Sequence, residues 1–168
     1  MGLVSALSAV ALVLFFVGLA NRLADRTPTR AQATLYFGVL GAACLGIASM
    51  LDWQGVAYVA GRMAQDETAA QHAWLALAAA STGIYGFTGI LFGASVIAAS
   101  WAIVSVGAMR RTMGWLGLLA SAIIVVATIA QAFAAADSPV LGYVYPLAGL
   151  LLLIWFAWTG VELRRARA

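Results

Sequence analysis

The sequence predicts an all-α fold, an integral membrane bundle of five transmembrane helices, on three observations. The 168-residue chain is 64% hydrophobic and only 9% charged, whereas soluble domains carry roughly 25% charged residues. Its charges bound apolar runs at 1–21, 31–51, 68–109, 112–136 and 138–161. Each run reaches or exceeds the roughly 20 residues that a helix needs to cross the hydrocarbon core. The basic residues are all arginine, and they cluster in alternate loops.

The arginines choose between five spans and six. The run 68–109 is about twice the length of one span. If it crosses once, Arg22, Arg26 and Arg30 share a side with Arg110, Arg111, Arg164, Arg165 and Arg167, leaving only Arg62 opposite. Cytoplasmic loops carry the excess of Arg and Lys, so this division is the one a membrane protein makes. Two crossings would split the arginines between both sides. The sequence therefore predicts a single bundle domain over 1–168, N-terminus outside and C-terminus cytoplasmic, in a bacterial cytoplasmic membrane.

The elements follow in order. Residues 3–20 form the first span; they lack the positive start and cleavage site of a signal peptide. Residues 33–51 form the second, with Cys44 as a small apolar side chain in mid-run. The outer segment, 52–82, is Ala-rich and should be helical, with Asp66 as an N-cap for its second part. The third span is 83–108. A helix unbroken from 67 to 109 would be roughly 64 Å long, so a bend or re-entry is expected at Ser81-Thr82-Gly83. Spans four and five are 115–135 and 141–161. Trp53, Tyr58, Trp74, Tyr143 and Tyr145 fall at the outer interface, and Trp115, Trp155 and Trp158 at the inner one, as an aromatic belt. Pro146 lies close to the start of the fifth span, where proline is tolerated. The bulky run Leu150–Trp158 reads as lipid-facing or as a partner surface.

The third span opens on STGIYGFTGILFG. At 100° per residue Gly83, Gly86, Gly89 and Gly93 share about 120° of the helix circumference, and Ser100 extends the same side. No strand precedes these glycines and no Lys-Ser/Thr pair follows, so they are not a phosphate loop. Small residues let membrane helices approach closely, and the second span offers a matching ridge in Thr34, Gly38, Ala42 and Gly46. Gly117, Ser121 and Thr128 line one side of the fourth. These faces are expected to pack helices within the bundle, with a dimer face or a groove admitting a lipid as the sharper reading.

Polar side chains are few. Ionisable residues within spans usually mark transport, and no charge lies near the middle of any span. Gln131, on the face of Thr128 and Ser121, is expected to make an interhelical hydrogen bond. Asp52, His72 and Asp137 lie at the outer ends of spans and, with Gln131, form a possible polar site. Their spacing matches no metal-ligand motif. The absence of Lys excludes a Schiff base. One His excludes a bis-His haem pair, one Cys excludes a dithiol or four-Cys iron–sulfur site, and no GxSxG elbow occurs. No cofactor and no enzymatic activity are expected. No arginine cluster is interleaved with aromatics, so nucleic acid is not an expected partner.

ILFGASVI in the third span, RRTMGWLGLL opening the fourth and WFAWTGVELRRARA closing the chain resemble uncharacterised bacterial multi-pass proteins of the domain-of-unknown-function kind. That resemblance implies a membrane bundle and no particular activity. The five spans and six Trp are also similar to tryptophan-rich sensory proteins, but the proline-rich loop of that family is missing, since only Pro28, Pro139 and Pro146 occur. The expected function is a non-enzymatic membrane module: an accessory or assembly partner, or a binder of lipid-like molecules between small-residue helix faces. A small transporter or channel with a polar outer vestibule is the alternative. Membrane lipids are the expected partners, together with another membrane protein or a second copy of the chain.

Overall fold

A computed structural model describes residues 2–63, 66–107, 109–133 and 139–165. They form five helices and, among the described residues, no strand: α1 (Gly2–Ala24), α2 (Pro28–Met63), α3 (Glu67–Val106), α4 (Arg111–Phe133) and α5 (Pro139–Arg165). All five are long and apolar enough to cross a membrane. Each helix packs mainly against its neighbours in the chain, while α1 also touches α3 and α5.

Local chemistry sets the helix ends. Pro28 and Pro139 open α2 and α5, where the fixed φ of proline suits a helix and its missing N–H is no loss. Asp66 caps α3, accepting from the Ala69 N–H at 3.0 Å, as expected. Gly107 closes α3 in the left-handed region, φ 63° and ψ 30°, and its N–H donates to Ile103 O. A side chain there would be strained.

The helices differ in length in a way that shapes the molecule. α1 and α4 have 23 residues each, α2 has 36 and α3 has 40. At 1.5 Å per residue, α2 and α3 run for about 54 and 60 Å. Ala9 of α1 lies beside Gly46 of α2, and Thr128 of α4 lies beside Gly86 and Gly89 of α3. α1 and α4 therefore end level with about 52 and 82, and the rest of α2 and α3 projects as a helical hairpin roughly 20 Å further. The expected bend at 81–83 does not interrupt the helix. α2 runs alongside and supports the extension, with Gly55 against Leu77, and Ser81 is buried with its hydroxyl bonded to Ala78 O.

The core lies between α1, α3, α4 and α5. Leu19, Leu23, Val96, Ile103, Met113 and Trp155 are fully enclosed. Trp155 meets Phe15 and Phe156 edge to face, with ring centroids 6.1 and 5.4 Å apart. This corrects the reading of Leu150–Trp158 as an outward surface and of Trp155 as an interfacial residue. Leu150, Leu153 and Ile154 do face outward, but Trp155 anchors α5 in the bundle. It reaches the core because Gly117 of α4 has no side chain in its way: a Cβ there would strike both Trp155 Nε1 and Ser100 Oγ. Those two atoms are buried without a hydrogen-bond partner among the described residues.

Candidate functional site

The glycine face of α3 meets α4, and it meets it unevenly. A Cβ at Gly93 would collide with Val125, with Ile124 Cγ2 at 3.5 Å. At Gly89 it would stand 2.9 Å from Thr128 Oγ1, and at Gly86 3.7 Å from Thr128 Cγ2. At Gly83 it would meet nothing within 4 Å. The two helices are thus closed at Gly93 and part progressively toward Gly83. Small residues let the backbones approach, and toward the end of α4 they leave a space that nothing in the described chain fills.

That space is a groove of about 490 Å³. Thr82, Gly83, Gly86, Phe87 and Ile90 line it from α3, and Thr128, Ile129, Gln131 and Phe133 from α4. Phe133 is 88% exposed and Phe87 55%, so two rings flank the opening. The Thr82 hydroxyl and the Gln131 amide are the exposed polar groups in the lining. Thr128 is already engaged: its hydroxyl donates to Ile124 O at 2.8 Å and accepts from Tyr145 of α5 at 3.0 Å. No charged residue lines the groove. Such a lining suits an apolar body carrying one uncharged polar head.

The chain matches, over residues 1–161, the family described as domain of unknown function, DUF4386. It belongs to that family. No curated protein and no solved structure matches it. The resemblance carried by ILFGASVI, RRTMGWLGLL and WFAWTGVELRRARA pointed to a protein of this kind.

The remaining small residues of the DUF4386 protein serve other seams. Gly38 of α2 lies under the Phe16 ring of α1, and a Cβ at Gly46 would stand 3.7 Å from that of Ala9. Gly38 and Gly46 of the α2 ridge therefore face α1 and not the α3 glycines. Ala42 and Gly46 border a second groove of about 520 Å³ against Ala9, Val10 and Val13, with Met50 and the Gln54 amide also in its lining. The α2–α3 seam rests on Gly41 and Phe92, which the sequence did not single out, and on Thr34 at the end of the ridge. A Cβ at Gly41 would lie 2.8 Å from the Phe92 ring, and Ser95 donates its hydroxyl to Thr34 O at 2.7 Å. Ser100 lies on the α3 face turned to Gly117, away from the open groove.

The polar residues do not gather. Asp52 accepts from the Tyr85 hydroxyl at 2.8 Å, on the α2 side of α3. His72 is exposed on the projecting hairpin, 13 residues before Tyr85 and so about 20 Å further along the same helix. Gln131 lines the groove on the α4 side. Asp137 lies outside the described residues. Among the described residues no three His, Cys, Asp or Glu side chains form a cluster suited to a metal ion. Thr82, Phe87 and Phe133 are the site residues that sequence reasoning missed. Their signal was faint: threonine and phenylalanine are ordinary in a span, and only the neighbouring Gln131 was unusual.

Proposed function

We propose that this protein is a non-enzymatic module of a bacterial cytoplasmic membrane, N-terminus outside, that binds a lipid-like amphiphile in the groove between α3 and α4. The observation that carries this reading is the parting of the two helices at Gly86 and Gly83 beside the unengaged Gln131 amide. Gln131 ends the apolar stretch of α4, and a ligand hydroxyl or carbonyl would give its exposed amide a partner. The chemistry of the lining supports binding over catalysis: two hydroxyls and one amide, with no acid, base or thiol among them. A role as accessory to another membrane protein is compatible with the same site, because a bound amphiphile is a common element of such assemblies.

The alternative, a transporter or channel with a polar vestibule, requires Asp52, His72, Asp137 and Gln131 to converge; the three that lie among the described residues stand apart.

Native mass spectrometry of protein released from mild detergent tests the proposal. The wild type should carry a co-purified amphiphile that Gly83→Leu loses. Position 83 has open space around it, so the larger side chain fills the groove without disturbing the bundle. A wild type free of any bound amphiphile, or a Gly83→Leu protein that keeps it, would contradict the proposal.

A further inference from the structure

The opposite end of the bundle is strongly basic. Arg22, Arg26, Arg30, Arg110, Arg111 and Arg164 lie in or beside its turns and helix ends. Two acids lie with them in the described chain, Asp25 and Glu162. Glu162 is shared, 3.7 Å from both Arg110 and Arg165. Among the described residues no ion pair reaches Arg22, Arg26, Arg30 or Arg111.

The backbone adds to this field. The positive end of a helix dipole favours acidic side chains in the first turn. α3, which starts at the far end, obeys with Asp66 and Glu67. α2 and α4 start at the arginine end and have no acid in their first turns; Arg30 and Arg111 lie there instead. Topology accounts for which end is positive, but it does not require arginines where they oppose their own helices. An anion at this end would relieve both the repulsion and the excess charge.

Arg30 is also set in place. Its guanidinium lies 5.9 Å from the centroid of the Trp101 ring and donates to Ser105 Oγ. It is thereby held at the seam between the start of α2 and the end of α3, beside an indole that is 54% exposed. A fixed guanidinium next to an outward-facing tryptophan puts a phosphate ligand beside an amphipathic ring of the kind that sits at headgroup level.

We propose that the arginine end is a docking surface for anionic phospholipid, with Arg30 and Arg26 engaging the headgroup phosphate and the acyl chains lying along the Trp101 face. The charge complementarity is direct, and the surface is separate from the α3–α4 groove.

The test uses the full chain in vesicles of equal phosphatidylglycerol and phosphatidylcholine, with retained lipids counted by native mass spectrometry. The wild type should retain phosphatidylglycerol preferentially. Arg30→Gln and Arg26→Gln should each reduce that preference about fivefold, the equivalent of about 1 kcal/mol per arginine near a membrane surface. Arg26 lies in the α1–α2 turn with an exposed side chain, so its variant reports even if Arg30→Gln disturbs the α2–α3 seam. Raising the salt to about 1 M, where screening acts within about 3 Å, should abolish the preference. Equal retention of the two lipids, or a double arginine variant with undiminished preference, would overturn the proposal.

Discussion

The Tyr85 hydroxyl donates to Asp52 Oδ2 across 2.8 Å, and this bond joins α3 to α2 near the level at which α1 and α4 stop. Above it the two long helices have mainly each other for support. Tyr85 is 39% exposed and Asp52 half-buried, so the bond is partly open to solvent. Tyr85→Phe should cost about 1 kcal/mol, below the roughly 1.5–3 kcal/mol of a bond to a charged group because water can replace the lost donor. The loss should be local: faster hydrogen exchange across 52–85 with little change in the α4 and α5 amides. Uniform acceleration along the whole chain would contradict this placement.

The glycines of α3 should divide by position. Gly93→Ala would push a methyl group into Val125 and is expected to destabilise by about 1–3 kcal/mol, as overpacking does. Gly83→Ala meets nothing and should stabilise by about 0.5–1 kcal/mol, the helical advantage of Ala over Gly. Thermal unfolding in one detergent, comparing both variants with the wild type, checks the sign of each effect.

Serines on α3 should likewise separate. Ser95 donates to Thr34 O, so Ser95→Ala should cost about 0.5–1.5 kcal/mol. Ser100 Oγ is buried with no partner in the described chain. Ser100→Ala removes an unsatisfied group and should be neutral or stabilising in the same unfolding assay. Trp155→Ala, which empties the centre of the aromatic cluster, should cost about 3–5 kcal/mol.

Much of this architecture was legible in the sequence. Asp52, Arg62, Asp66 and the paired Arg110 and Arg111 bound runs whose length only a membrane explains. The Asp66 cap was readable because an acidic residue before an Ala-rich stretch has one obvious role. The neighbours of each face were not readable. In a soluble helix, apolar side chains mark the core; in a membrane helix the lipid-facing side is equally apolar. Trp155 and Trp101 therefore look alike in sequence, although one is enclosed and the other faces outward. The same lack of contrast hid the partners of the small-residue ridges. Gly38 and Gly93 both permit close approach, and nothing in their spacing says that one serves α1 and the other α4. That α3 continues through 81–83 was unreadable for a different reason: α2 is long enough to accompany it past Gly83.

The groove between α3 and α4 is the central claim, and photocrosslinking tests it most directly. Membranes containing the protein would be loaded with a diazirine-bearing diacylglycerol, an amphiphile with an uncharged head, then irradiated and mapped by peptide mass spectrometry. The account predicts adducts concentrated on 82–90 and 128–133, reduced several-fold by Gly83→Leu. Adducts spread evenly over the outward faces of all five helices, unchanged in that variant, would contradict it.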